Sequence, residues 1–337
     1  MKRFVFLLIG LIVSIVSLYF AFQGFDLGDV WASLARVRLP FFAPMAVLYI
    51  LTFMTKVWRW RVMFYPDEAR ARTGVLFSSL MISYIPLPFR AGEVARALVA
   101  SVRLGIPAPR VFSTILVEKV LDVLTLLLFL GLSLPFVGLP GNLQNTAMML
   151  GLLVLAATLV LLVLVLRPEL ARKLVHLLTK PLPARFGPPI AEATEHALQG
   201  LAPLSNPHSA LRLVLWSLAT WGINSMTVYL MLLAFNVDVT PVASVVLVVV
   251  TNLSMAVPSA PGYIGPFEAA VVGVLVVLGQ PLETAQTFAI AYHFIGLAPV
   301  ATMGVIAAFQ QGLGLAVFRA RPPQSVAELQ PLPSRED

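Results

Sequence analysis

Three stretches of this chain, residues 4–22, 147–166 and 285–309, contain no aspartate, glutamate, lysine or arginine. Each is close to or beyond the roughly 20 residues that an α-helix needs to cross the hydrocarbon core of a bilayer. Hydrocarbon offers no water to unpaired backbone groups, so only helices and closed barrels span it. Composition agrees: 59% of residues are apolar and 12% charged, against roughly 25% charged in an ordinary soluble domain. The fold class is therefore all-α, a polytopic integral membrane helix bundle with no sizeable soluble domain. A formal charge of +7 does not point to nucleic acid, because it is spread over helix ends, where basic residues mark the cytoplasmic side. The absence of cysteine excludes disulfides and thiol chemistry. Lys2-Arg3 followed by the run 4–22 resembles a signal peptide, but no small-x-small site precedes Gln23-Gly24. The run is read as a retained first helix that starts inside.

Full crossings are expected at 4–22, 41–60, 111–134, 146–166, 211–235 and 285–312. On the outer side of this map stand Asp26, Asp29, Arg36, Arg38, Asp238 and Glu283. On the inner side stand Arg59, Arg61, Arg70, Arg72, Arg103, Arg110, Arg167, Arg172, Lys173, Lys180, Arg185, Arg319 and Arg321. Two of the 23 basic residues fall outside, the bias that the positive-inside rule requires.

Two further apolar stretches, 75–98 and 241–280, are broken at their centres. The first break reads Ile85-Pro86-Leu87-Pro88-Phe89-Arg90-Ala91-Gly92-Glu93, the second Pro258-Ser259-Ala260-Pro261-Gly262-Tyr263-Ile264-Gly265-Pro266-Phe267-Glu268. In each, a proline precedes a glutamate by seven positions, Pro86/Glu93 and Pro261/Glu268. Residues 75–87 span about 20 Å as helix, against a core of about 30 Å. A single crossing there would also put the basic stretch 167–185 outside, so a hairpin entering and leaving on the cytoplasmic side is expected. For 241–280, an outer hairpin and two short crossings give the same parity, and the hairpin is adopted. The expected architecture is six crossings plus two re-entrant helical hairpins in inverted arrangement, the pattern that marks a transport site between repeats. Both termini are then cytoplasmic, in a cell inner (plasma) membrane. The membrane domain is placed at 1–318, with a cytoplasmic interfacial linker at 168–208 and a Pro-rich, disordered tail at 319–337.

Charges inside such a bundle are costly and face a cavity or a partner. Glu118 and Asp122 are four residues apart, and Lys119 three from Asp122, so they can share one side of a helix. Arg90 and Arg96 flank the first break and, with Lys119, can form a cationic pocket for a phosphate, for which arginine offers bidentate geometry. Glu93 and Glu268 open helices after each bend, where a carboxylate either complements the helix dipole or faces the cavity. With Glu118, Asp122 and His293 they are assigned to gating or charge balance. Internal ion pairs that merely lock helices are the alternative. Pro88, Gly92, Pro261, Gly262 and Gly265 are assigned to backbone bends. Asn224, Ser225, Thr227 and Asn252 are read as hydrogen-bonding glue between helices. There is no P-loop, no GxSxG, no metal-ligand spacing and no dinucleotide fingerprint, so no cofactor or metal is expected, and the chain is not read as an enzyme.

Pro88-Phe89-Arg90-Ala91-Gly92-Glu93-Val94-Ala95-Arg96, Glu118-Lys119-Val120-Leu121-Asp122 and Pro261-Gly262-Tyr263-Ile264-Gly265-Pro266-Phe267-Glu268, with Tyr292-His293, Pro299 and Gly304, form an ordered set. In it the chain resembles the lysylphosphatidylglycerol synthase transmembrane region, the flippase-like membrane domain of bacterial multiple-peptide-resistance factors. That resemblance implies re-entrant helices around a lipid-accessible cavity and movement of a headgroup between leaflets. The soluble aminoacyl-transferase domain of the large members has no counterpart here, so a stand-alone member is expected.

The function expected from the sequence is a lipid translocase for an anionic headgroup, on a phospholipid or a polyprenyl-type lipid. A second copy of the chain or an envelope-synthesis protein is the partner such a chain admits. A transporter of a soluble anion, an intramembrane lipid-modifying enzyme using Glu118 or Asp122 with His293, and a structural subunit of an envelope-synthesis complex are the competing readings.

Overall fold

A computed structural model of the chain describes residues 2–88, 91–138, 142–167, a few positions between 169 and 177, and 202–313. The linker expected at 168–208 lies for the most part outside the described residues, and the tail 319–337 wholly so. All regular structure among the described residues is helical: α1 (Lys2–Ala21), α2 (Leu27–Ala35), α3 (Phe42–Val62), α4 (Thr73–Ile82), α5 (Ala91–Leu104), α6 (Ala108–Ser133), α7 (Asn142–Leu166), α8 (Pro207–Ala234), α9 (Pro241–Ser254), α10 (Pro266–Val277) and α11 (Leu282–Gln310). The six long helices α1, α3, α6, α7, α8 and α11 lie over the runs singled out in the sequence. Among the described residues three segments, Leu39–Val62, Pro207–Ala234 and Leu282–Gln310, are long and apolar enough by length and composition to cross a membrane. Local chemistry sets several starts. The Asn206 side chain caps α8 by accepting from the His208 and Ser209 amides, and Thr240 caps α9 by accepting from Ala243, each ahead of a proline at the first helical position.

Polar contacts sort the helix ends into two groups. At one end of the bundle, Asp67 and Glu68, just past α3, pair with Arg110 of α6 at 2.8 Å and Arg212 of α8 at 2.9 Å. Arg72, before α4, donates to the Arg103 carbonyl of α5 at 2.8 Å, and Arg103 donates to Gln311, past the end of α11. At the other end, Asn236 donates to the Arg36 carbonyl, Gln286 of α11 to the Ala21 and Gln23 carbonyls beyond α1, and Gln280, past α10, to the Asp238 carbonyl before α9.

These contacts decide the course of the two broken stretches. The start of α4 touches the end of α5 through Arg72 and Arg103. The end of α4 meets the start of α5, where a Cβ on Gly92 would stand 2.9 Å from the Ser83 carbonyl oxygen. The two helices therefore run antiparallel as a hairpin. In the same way α9 and α10 pack together and join their open ends through Asp238 and Gln280. The open end of the first hairpin belongs to the α3/α6/α8/α11 junction with Asp67 and Glu68, and that of the second to the opposite junction.

Each hairpin has its own core. The first packs among Val57, Trp60, Leu80, Ala97 and Val111; the second among Leu247, Val271, Leu275, Phe288 and Leu232. Helices α3, α6, α8 and α11 contribute to both cores and so join the halves. Packing of α11 on α4 is closest at Gly304, whose added Cβ would lie 2.5 Å from the Met81 carbonyl oxygen, the small-residue contact that lets membrane helices approach. In contrast, α1 and α7 present wide apolar faces outward, Leu8, Ile12, Ile15 and Phe20 on one and Met149, Leu153, Leu159 and Val160 on the other. A soluble monomer rarely carries continuous apolar surface on that scale; in lipid it is the expected exterior.

Candidate functional site

The tips of the two hairpins meet: a Cβ placed on Gly262 would lie 3.7 Å from Cβ of Pro86. Breaking a helix there frees backbone groups that neighbouring elements must satisfy. Ser14 of α1 serves the second tip twice, accepting from the Ala260 amide at 2.8 Å and donating to the Ile264 carbonyl at 2.7 Å. Glu268 Oε2 accepts from the Gly265 amide at 2.7 Å. His293 of α11 sets Nε2 2.8 Å from the Gly262 carbonyl oxygen and Nδ1 2.5 Å from Glu268 Oε1. The ring is thereby held between the carbonyl of the turn and the carboxylate that also takes the Gly265 amide. The turn requires glycine at two points. Gly262 has φ +81°. Gly265 has φ +102°, and its added Cβ would be 2.6 Å from the Ser14 carbonyl oxygen.

A layer of ions lies between the tips and the Asp67 end of the bundle. Helix α6 sends three charged side chains to three destinations. Glu118 takes Arg96 of α5 in a bidentate pair, at 3.1 and 2.7 Å, while the guanidinium lies over the Trp60 ring, 3.7 Å from its centroid. Lys119 reaches Glu93 of α5 at 3.0 Å. Asp122 accepts from Arg59 of α3 at 2.7 Å and from the Trp221 indole of α8 at 3.0 Å. Arg59 and Arg96 are 0% and 1% exposed, whereas the Lys119 side chain is 43% exposed. The Arg96–Glu118 and Arg59–Asp122 pairs are buried, and the Lys119–Glu93 pair is accessible. No group of three or more metal-ligating side chains occurs among the described residues.

A family model described as the lysylphosphatidylglycerol synthase TM region matches residues 7–304, a span that holds both hairpins and all three ion pairs. The chain belongs to this family. Glycosyltransferase AglD of Haloferax volcanii is 26% identical over 300 residues, which cover 80% of this chain and 48% of that protein. The chain thus spans about half the length of this curated relative. No solved structure matches. Family membership and the apolar exterior make this a membrane protein.

Of the residues that the sequence marks for a site, Arg96, Glu118, Glu93, Lys119 and Asp122 come together in the ion layer, and Glu268 with His293 at the second tip. Arg90 lies outside the described residues. Pro88 and Pro261 are exposed at the tips. Gly92 lies within α5, where the close carbonyls of α4, rather than a bend, call for glycine. Three sequence readings need correction. Arg59, read as an inner-side charge, is wholly buried on Asp122. Ser225, Thr227 and Asn252 do not join helices: each donates to the carbonyl four residues back in its own helix, as short polar side chains do where no water competes. Glu118, Lys119 and Asp122 pair with other helices rather than with one another. Lys56 of α3 escaped the sequence reading altogether. A lysine amid the apolar run 41–60 was the available signal.

Proposed function

We propose that this protein translocates the anionic headgroup of a lipid between leaflets, along a path between two hairpins that enter the membrane from opposite faces. The observation that carries the reading is the meeting of the tips at Pro86 and Gly262, with the open ends of the hairpins at opposite ends of the bundle. Helices α4, α5, α9 and α10 are each about 15–21 Å long at 1.5 Å per residue, short of the roughly 30 Å core. Around the junction Pro86, Pro88, Ala256, Val257 and Pro258 remain exposed, and in this reading a headgroup passes along that face while its tails stay in lipid. In this reading the accessible Lys119–Glu93 pair exchanges partners with the headgroup, assisted by Arg90. Arg96, Glu118 and Asp122 keep their helices in place and balance charge. Glu268 and His293 gate the second tip, because their contacts with the Gly265 amide and the Gly262 carbonyl hold its turn. Lipid movement of this kind makes and breaks no bond.

A second reading concerns the cargo. Because AglD is a glycosyltransferase by name, the lipid in this reading is a polyprenyl-type carrier bearing a sugar phosphate, which presents the same anionic group to the same cleft.

The test is reconstitution into liposomes holding a trace of fluorescent phosphatidylglycerol, with a membrane-impermeant reductant added outside. Translocation should carry bleaching past the outer-leaflet fraction towards completion. A plateau equal to that of protein-free vesicles, for phosphatidylglycerol and for a polyprenyl phosphate alike, would overturn the function.

A further inference from the structure

Lys56 of α3 has no acid among the described residues. Lys56 and Arg59 lie three residues apart on α3, one turn apart on one face. Arg59 gives Nη1 to Asp122 at 2.7 Å and to Ser217 at 3.3 Å, while its Nε and Nη2 are buried without a hydrogen-bond partner. Lys56 donates to the Tyr84 hydroxyl at 2.8 Å. Around it stand the rings of Phe53, Tyr84 and Trp221, with centroids at 5.7, 5.5 and 5.4 Å. Among the described residues no carboxylate comes within ion-pair distance of Lys56. Glu118 belongs to Arg96, Glu93 to Lys119, and Asp122 to Arg59.

Trp221 joins the two cations, since its indole N–H goes to Asp122 while its face takes the ammonium. The group Lys56, Arg59, Asp122 therefore carries a formal net charge of +1, with Arg59 buried and Lys56 partly buried. Ring faces offset part of the cost of an unpaired ammonium, and buried charges are ordinarily paired. Donors are also left over: two on the lysine ammonium beyond the Tyr84 bond, and the Nε and Nη2 groups of Arg59. Tyr84 lies two residues before Pro86, so this surplus of charge and donors stands beside the junction of the hairpin tips.

We propose that Lys56, backed by Arg59 and framed by Tyr84 and Trp221, is the anchoring site for the phosphate of the transported headgroup. A phosphodiester offers one negative charge and two unbridged oxygens, which match the missing counter-ion and the unused donors. The inference rests on the translocase reading for the source of the phosphate, but not for the phosphate itself.

The test compares purified wild type, Lys56→Met and Lys56→Arg. Bound phosphatidylglycerol is counted by native mass spectrometry, and thermal shift is titrated with inorganic phosphate and with phosphatidylglycerol micelles. Loss of one charge-assisted contact should lower lipid retention in Lys56→Met by about tenfold or more, with Lys56→Arg keeping most of it. Should Lys56→Met fail to fold, Lys56→Gln, which keeps a polar head without charge, takes its place with the same expectation. Lipid retention equal to wild type in the uncharged variant, together with an unchanged response to inorganic phosphate, would overturn the site. A Lys56-dependent response to inorganic phosphate but not to lipid would keep the phosphate site and reject the lipid source. Lys56-dependent lipid retention in a protein that flips nothing would keep the site and reject translocation.

Discussion

Glu118→Ala should leave a protein that cannot be purified in folded form, or one whose thermal midpoint in detergent falls steeply. The change strands the Arg96 guanidinium, 1% exposed and held by two bonds to Glu118, in a site where its Nε already lacks a partner. Removing one member of a buried ion pair costs about 3–5 kcal/mol, because the remaining charge has neither water nor counter-ion. Arg96→Ala should cost about as much on the same ground. The double variant Arg96→Met/Glu118→Met should recover most of the loss, since an apolar pair of similar volume replaces both charges and can still pack on Trp60. A double-mutant cycle of thermal midpoints gives the coupling. If Glu118→Ala melts with wild type, the pair is not buried as described. The folded double variant then separates two roles for Arg96. Translocation that survives in it marks the residue as a lock between α5 and α6. Loss of translocation marks it as a headgroup contact.

The second large effect concerns the tips. A Pro86→Cys/Gly262→Cys variant should form a disulfide on mild oxidation, since 3.7 Å between the β-carbons falls within the roughly 3.5–4.5 Å that the bond requires. The natural chain has no cysteine, so the introduced thiols have only each other. A side chain at the left-handed Gly262 position costs about 1–2 kcal/mol, which lowers yield without altering the geometry. Tying the tips should hold lipid bleaching at the outer-leaflet fraction, and a thiol reductant should restore the rest. Each single variant should be insensitive to oxidant. Absence of the bridge would contradict the meeting of the tips, and full activity of the bridged protein would place the path elsewhere.

Much of the helix pattern was legible because lipid-spanning runs are written in composition alone. The bends were legible because proline and glycine break the apolar stretches 75–98 and 241–280 at their centres. Partner choice was not legible. Glu118 and Lys119 are adjacent in sequence and for that reason point to different sides of α6, one to Arg96 and the other to Glu93. Nothing in the spacing says which helix lies there. Arg59 stands near the end of α3, where a charge-counting rule sees an inner-side residue, and a snorkelling arginine and a buried one read alike. Ser14 gave no signal, since its use depends on the backbone of Ala260 and Ile264, some 250 residues away. Gly304 is a single glycine among many, and the approach of Met81 explains it; the sequence marks Gly265 as a bend, but its contact with Ser14 was not legible. Residues 27–35, noticed only for their charges, form α2, with Trp31 exposed.

Side-specific labelling in sealed vesicles tests the opposed hairpins most directly. Gly74→Cys sits at the open end of the first hairpin, where an added Cβ meets nothing within 4 Å. Asp238→Cys sits exposed at the open end of the second. An impermeant maleimide should reach Asp238→Cys from the outer face alone and Gly74→Cys from the cytoplasmic face alone. Labelling of both thiols from one and the same face would contradict the inverted arrangement, and the proposed path between the tips would fall with it.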